Sequence, residues 1–142
     1  MARRALILCT SCEIGGMERL AVGITRQLSR RGWDAELIFG AGPDEEGLLE
    51  WANGQGVRAS AHPAVLSVLQ QKRSWTSVRE LARLIRSRKP DVVNLHYGGA
   101  HISLKDVLAV RLARAPRCVV QVHLPVAWRE SGRRKRLVTR VA

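Results

Sequence analysis

The chain has 142 residues, the length of one ordinary domain, and 46% of them are hydrophobic, enough to bury a core and to exclude disorder as its main state. No apolar run approaches the roughly eighteen residues of a membrane span, and Ala5–Cys9 is too short for the hydrophobic part of a signal peptide. The net charge of +12 is unevenly spread: residues 1–60 carry 7 basic and 8 acidic side chains, residues 61–142 carry 17 and 4.

The first element is the continuous apolar run Ala5-Leu6-Ile7-Leu8-Cys9, which reads as a parallel strand buried on both faces. After Gly15-Gly16, apolar residues recur at Met17, Leu20, Ala21, Ile24 and Leu28, the stripe of an amphipathic helix, and Gly32 stands where a C-terminal cap belongs. Ala35–Phe39 is a second strand, broken by Gly40-Ala41-Gly42-Pro43. Leu48–Ala52 is a short helix ending near Asn53-Gly54, and Val57–Ala59 a third strand. Residues 60–74 carry the least clear pattern and read as a loop or a mobile helix. Ser77 and Glu80 then fit a capping box ahead of the stripe Val78, Leu81, Leu84 and Ile85, and Pro90 stops that helix. Asp91–His96 is a fourth strand. Ser103 and Asp106 cap a helix carrying Leu104, Val107, Leu108 and Leu112, and Cys118–His123 is a fifth strand. Arg129–Ala142 is basic and reads as helical. Strands alternating with helices predict a single α/β domain over residues 1–142, an open, Rossmann-like parallel sheet with flanking helices.

Such a sheet binds ligands beyond the carboxyl ends of its strands. Cys9–Gly16, Tyr97–His101 and Leu124–Trp128 leave strands at that edge, and His96 and His123 end strands there. Glycines before a helix let a phosphate approach free amides and the positive end of the helix dipole, so Gly15 and Gly16 are candidates for an anion site. A branched side chain at Gly16 would close off that approach, with added strain if φ is positive there. The segment is neither a dinucleotide fingerprint, lacking G-x-G-x-x-G and an acid after the second strand, nor a Walker loop. Cys9 and Cys12 form a lone C-x-x-C that does not open a helix and has no second pair for zinc; Cys9 reads as a buried strand residue. No G-x-S-x-G elbow is present. Three cysteines without a secretory signal point to a reducing, cytoplasmic setting. The basic excess suits an anionic partner, although 20 of the 24 basic residues are Arg, which a GC-rich coding sequence also produces. Arg133-Arg134-Lys135-Arg136 is either a solvated face or a helix at an anionic membrane surface.

Ile14-Gly15-Gly16-Met17-Glu18-Arg19, the helix end Ser29-Arg30-Arg31-Gly32-Trp33, Pro90-Asp91-Val92-Val93-Asn94-Leu95-His96 and Val120-Gln121-Val122-His123 together resemble the N-terminal domain of family-4 retaining glycosyltransferases. The resemblance implies a GT-B architecture, with an acceptor-binding N-terminal domain and a C-terminal domain that holds the nucleotide-sugar. It places the Gly15 and Gly16 amides near the donor diphosphate and His123 against the transferred sugar, as the residue closest to catalysis. His96, Tyr97 and Gly98 fall on the acceptor side, and Glu18 matches a recurrent structural acid. Trp33 stands where the family usually has His. The family's donor-binding acids belong to a second domain that has no counterpart here, so the resemblance implies an incomplete unit: a fragment, a truncated product or half of a split enzyme, inactive alone.

The implied activity is transfer of a sugar from a nucleotide-sugar to an acceptor such as a lipid-linked or polysaccharide precursor, with no cofactor, no metal, and a cytoplasmic location that includes the inner face of a membrane. Two alternatives stand beside it: a basic module for nucleic acid or anionic membrane, and an inactive remnant. Against nucleic acid, aromatic residues are only 4% and no RRM, KH or helix-turn-helix signature occurs.

Overall fold

A computed structural model places residues 2–11, 13–65, 74–98 and 102–123. Nine elements alternate along the chain: β1 (Arg4–Cys9), α1 (Gly16–Arg30), β2 (Asp34–Gly40), α2 (Glu45–Gly54), β3 (Arg58–His62), α3 (Trp75–Arg88), β4 (Val92–Tyr97), α4 (Leu104–Leu112) and β5 (Cys118–Val122). The strands form one parallel sheet in the order β3-β2-β1-β4-β5, the Rossmann-like arrangement expected from the alternation. The expected helix at 129–142, the segment 124–128, Cys12, His101 and residues 66–73 of the unreadable stretch lie outside the described residues.

Side chains alternate across each strand and so divide the core in two. Leu6, Leu8, Ile38, Val93, Leu95 and Tyr97 face α3 and α4, where they meet Val78, Leu81, Ile85, Ala109 and Val110. Ala5, Ile7, Cys9, Leu37 and Phe39 face α1 and α2, against Met17, Ala21, Val22, Leu48 and Ala52. Each fully buried Leu, Ile or Phe contributes about 1.5–3 kcal/mol, which makes β1, covered on both faces, the centre of the fold.

The C-terminus of α1 is closed by Gly32 at φ +80°: its amide reaches the Ser29 carbonyl, and the Trp33 amide reaches that of Leu28. Leu28 and Trp33 then pack on the same core cluster, completing the Schellman arrangement. Pro90 follows Lys89, which ends α3 in the left-handed region.

Four local expectations need correction. The buried face of α1 runs through Met17, Glu18, Ala21, Val22 and Thr25, whereas Leu20 is exposed. Thr25 is tolerated there because its hydroxyl donates to the Ala21 carbonyl at 2.8 Å. The third strand is Arg58–His62, not Val57–Ala59; among the described residues β3 pairs only with β2, and those hydrogen bonds rather than an apolar pattern define it. Helix α3 starts three residues earlier than expected: the Ser74 hydroxyl, not that of Ser77, caps it by accepting from the Ser77 amide. Helix α4 is capped by Ser103 as expected, yet Leu104 (74% exposed) and Leu112 point outward and Asp106, Ala109, Val110 and Ala113 are buried. Small residues let α4 lie close to the sheet, and Asp106 is accepted inside because it receives the Tyr97 hydroxyl at 2.8 Å.

The revised cap has a measurable consequence. Ser74→Ala should lower stability by about 1 kcal/mol, while Glu80→Ala should stay within about 0.5 kcal/mol of the parent. Urea unfolding midpoints of the two variants decide between the caps, and equal losses would contradict the assignment to Ser74.

Candidate functional site

Helix α1 leaves the end of β1 toward one face of the sheet, and α4 leaves the end of β4 toward the other. The crevice between those two strand ends is the switch point of the topology. Polar groups lace the strand ends together. Thr10, just past β1, donates through both its hydroxyl (3.0 Å) and its amide (3.3 Å) to the carbonyl of His96 in β4. The amide of His123, just past β5, donates to the carbonyl of Tyr97 at 2.9 Å.

Alternation along β4 sends His96 and Tyr97 to opposite faces. The Tyr97 ring is buried toward α4. His96 is 0% exposed and faces the α1 side, where its Nδ1 lies 3.1 Å from Nε2 of His123. The rings are inclined by 15° with centroids 5.2 Å apart, so the nitrogens meet nearly edge to edge. Burial first, and the neighbouring His123 second, lower the pKa of His96 from 6.5 to about 4. Its Nε2 is buried and has no hydrogen-bond partner among the described residues. One step back along both strands, the Asn94 amide donates to the side-chain oxygen of Gln121 at 3.3 Å. Two cross-strand polar pairs therefore sit side by side on one face of β4 and β5.

The partner of His96 is thus His123. His101, at the end of the segment that leaves β4, lies outside the described residues. Asn94, Gln121 and Thr10 were not singled out. The first two leave a signal, N-x-H and Q-x-H at strand spacing on two adjacent strands; Thr10 leaves none, because its role depends on the β1–β4 pairing.

At α1, Gly15 is the N-cap in an extended conformation with no side-chain cap. Among the described residues no group accepts from the amides of Gly16, Met17 or Glu18, which leaves three N–H groups at the helix end. The two glycines have different reasons. A Cβ at Gly15 would come within 2.9 Å of the Glu18 carboxylate, which is 3% exposed and folds back over the turn. At Gly16 a Cβ would meet nothing within 4 Å among the described residues, and φ there is not positive, so the condition for backbone strain is not met. A side chain at Gly16 would project into open space. At Gly98 a Cβ would meet the Met17 methyl at 3.5 Å, which sets the end of β4 against the first turn of α1. Gly15, Gly16, Gly98, His96 and His123 therefore gather at one edge.

Other chemically notable side chains have structural roles. The Cys9 thiol is fully buried, and burial, then the Glu18 charge, push its pKa up, so it is an inert thiol. His62 Nδ1 accepts the Ala64 amide in a turn. Trp51 lies under the Arg19 guanidinium, 5.8 Å from its centroid. Two imidazoles alone do not make a metal centre, and no group of three His, Cys, Asp or Glu suited to a metal occurs among the described residues. No helix among them is long and apolar enough to cross a membrane.

Fold and edge together define a Rossmann-like domain whose carboxyl strand ends bring the N-terminus of α1 beside two strand-end histidines. The sequence model of Glycosyltransferase Family 4 matches residues 14–142, and the chain belongs to that family. No curated protein matches the chain.

The histidine pair makes stability pH-dependent. The folded-state pKa of His96 lies below the unfolded one, so the unfolded chain takes up the proton first as pH falls. Stability associated with neutral His96 is complete above about pH 6.5 and is lost toward pH 4, about 3 kcal/mol in total. The stability difference between the parent and His96→Asn should shrink by that order between pH 7 and pH 4. A difference that is flat with pH would show that His96 does not titrate abnormally.

Proposed function

We propose that this domain is the acceptor-side half of a retaining glycosyltransferase of GT-B type, acting on a nucleotide-sugar donor and a lipid-linked or polysaccharide acceptor. The observation that carries the reading is the convergence, at one sheet edge, of the uncapped α1 N-terminus with the His96–His123 pair. In this reading the amides at Gly15 and Gly16 face the donor diphosphate, where the positive end of the helix dipole stabilises the charge that builds up on the leaving group. His123 contacts the transferred sugar. Gly98 offers backbone to the acceptor, while His96 and Tyr97, both buried, support that side from beneath. No side chain of this domain acts as a nucleophile: catalysis rests on holding two substrates in line and stabilising the departing diphosphate.

A helix N-terminus supplies about 0.3–2 kcal/mol to a bound anion, whereas a millimolar dissociation constant already corresponds to about 4 kcal/mol. The remaining donor affinity comes from a second domain in this reading, and the domain by itself turns over no sugar.

The open space at Gly16 makes the test clean. Gly16→Val, in the domain joined to a family C-terminal domain, should leave the unfolding midpoint near that of the parent and reduce sugar transfer by about tenfold or more, by pushing the diphosphate off the amides. Unchanged transfer would exclude a diphosphate at this turn.

An anionic membrane surface is a second partner in this reading, favoured by one observation. Arg79, Arg83, Arg86, Arg111 and Arg114 line adjoining grooves of about 650 and 240 Å³ between α3 and α4, and none of them pairs with a carboxylate among the described residues. By contrast Arg4, Arg58 and Arg88 are paired with Asp34 and Glu36. Vesicles containing anionic lipid should bind the chain, neutral vesicles should not, and added salt should weaken the binding. Equal affinity for both vesicle types, or for neither, would remove the membrane from the reading.

A further inference from the structure

We propose that His96 is a positioning residue that fixes the tautomer of His123: Nδ1–H of His96 donates to Nε2 of His123, so that His123 carries its own proton on Nδ1 and offers the ligand a hydrogen-bond donor. The proposal rests on the reading of His123 as the residue that meets the sugar, but its structural content can be measured without a ligand.

The 3.1 Å contact between His96 Nδ1 and His123 Nε2 needs one N–H and one lone pair. Two neutral arrangements satisfy it, and they differ in what they leave at His96 Nε2. If His123 donates, His96 must carry its proton on Nε2, an N–H that is buried with no acceptor among the described residues. If His96 donates, Nε2 is a bare lone pair. Orphaned buried N–H groups are rarer in folded proteins than under-satisfied acceptors, which selects the second arrangement. The imidazolium form of His96 would strand the same N–H, in keeping with the lowered pKa. His123 itself is only partly buried, and no hydrogen bond to its Nδ1 occurs among the described residues, so either tautomer of that ring can be solvated. The choice is therefore made at His96.

The geometry is held from the backbone. Thr10 donates twice to the His96 carbonyl, and the His123 amide donates to the Tyr97 carbonyl, so neither ring is carried on a loose segment. The Asn94–Gln121 pair one step back keeps β4 and β5 in the same register on the same face. With its protonated nitrogen set by the bond its other nitrogen accepts, His123 matches an oxygen lone pair on the ligand, such as a sugar hydroxyl or a diphosphate oxygen.

Long-range ¹H–¹⁵N correlation on the ¹⁵N-histidine-labelled 142-residue chain at pH 7.5 reads which nitrogen of each ring is protonated. The expected pattern is protonated Nδ1 and bare Nε2 for both His96 and His123. His96→Phe should move His123 to the Nε2–H tautomer that free imidazole side chains favour. His96→Asn, whose amide can still donate, should restore Nδ1–H at His123. An Nε2–H tautomer at His123 in the parent chain overturns the proposal, as does a His123 tautomer that stays unchanged in His96→Phe. If His96→Phe fails to fold, the parent spectrum alone decides. Sugar transfer in the two-domain enzyme separates this proposal from the functional reading. The expected tautomers combined with His123→Ala transfer equal to the parent would sink the role of His123 while leaving the tautomer assignment standing. Reversed tautomers with transfer that still depends on His123 would sink the positioning role alone. Where both hold, His96→Phe should lower kcat with KM unchanged, and His96→Asn should recover it.

Discussion

The parallel register of β4 on β5 governs the site. It sets Tyr97 opposite Val122 and His96 opposite Gln121, so His123 falls one position further on as the diagonal neighbour of His96. Because side chains alternate strictly, a slip of one residue in either strand would send one imidazole to the α4 side and break the pair. The register is secured on both faces: apolar packing of Val93, Leu95 and Tyr97 against α3 and α4 on one, polar pairing of Asn94 with Gln121 on the other. The same packing that stabilises the fold thereby aligns the two nitrogens.

The larger architecture was legible because its signals are periodic and local. The run Ala5–Cys9 and, apart from Glu36, the run Ala35–Phe39 are buried in strands, Val78, Leu81, Leu84 and Ile85 form one buried stripe, and Gly32 takes the left-handed conformation that ends α1. The two misplaced helix faces share one cause. At Glu18, Thr25 and Asp106 a polar side chain occupies a core-facing position, and hydropathy rotates the inferred helix face away from it. Thr25 and Asp106 each gain a hydrogen bond that only the folded chain supplies, one to a carbonyl a turn earlier and one to a tyrosine on the neighbouring strand. For the site, strand-end histidines could be read directly, but their contact could not, because it depends on strand order and register rather than on spacing along the chain.

Asp34 and Glu36, at the start of β2, are engaged by Arg4, Arg58 and Arg88, so that edge is an exposed ion-pair network of small net energy. Arg86, which lines the grooves between α3 and α4, donates to the Leu112 carbonyl at the end of α4, where a cation also complements the helix dipole. Part of the arginine excess thus has a role within the fold. The opposite edge brings together the first amides of α1, the buried Glu18 carboxylate and the His96–His123 pair.

Two consecutive residues, His96 and Tyr97, tie the tip of β4 to two neighbours at once, one to the end of β5 through His123 and the other to α4 through Asp106. A strand end stapled in two directions has little configurational freedom left to lose. In the proposed reading, a ligand at Gly98 meets a strand end already held by these two bonds, so less of the ordering entropy of complex formation is charged to the protein.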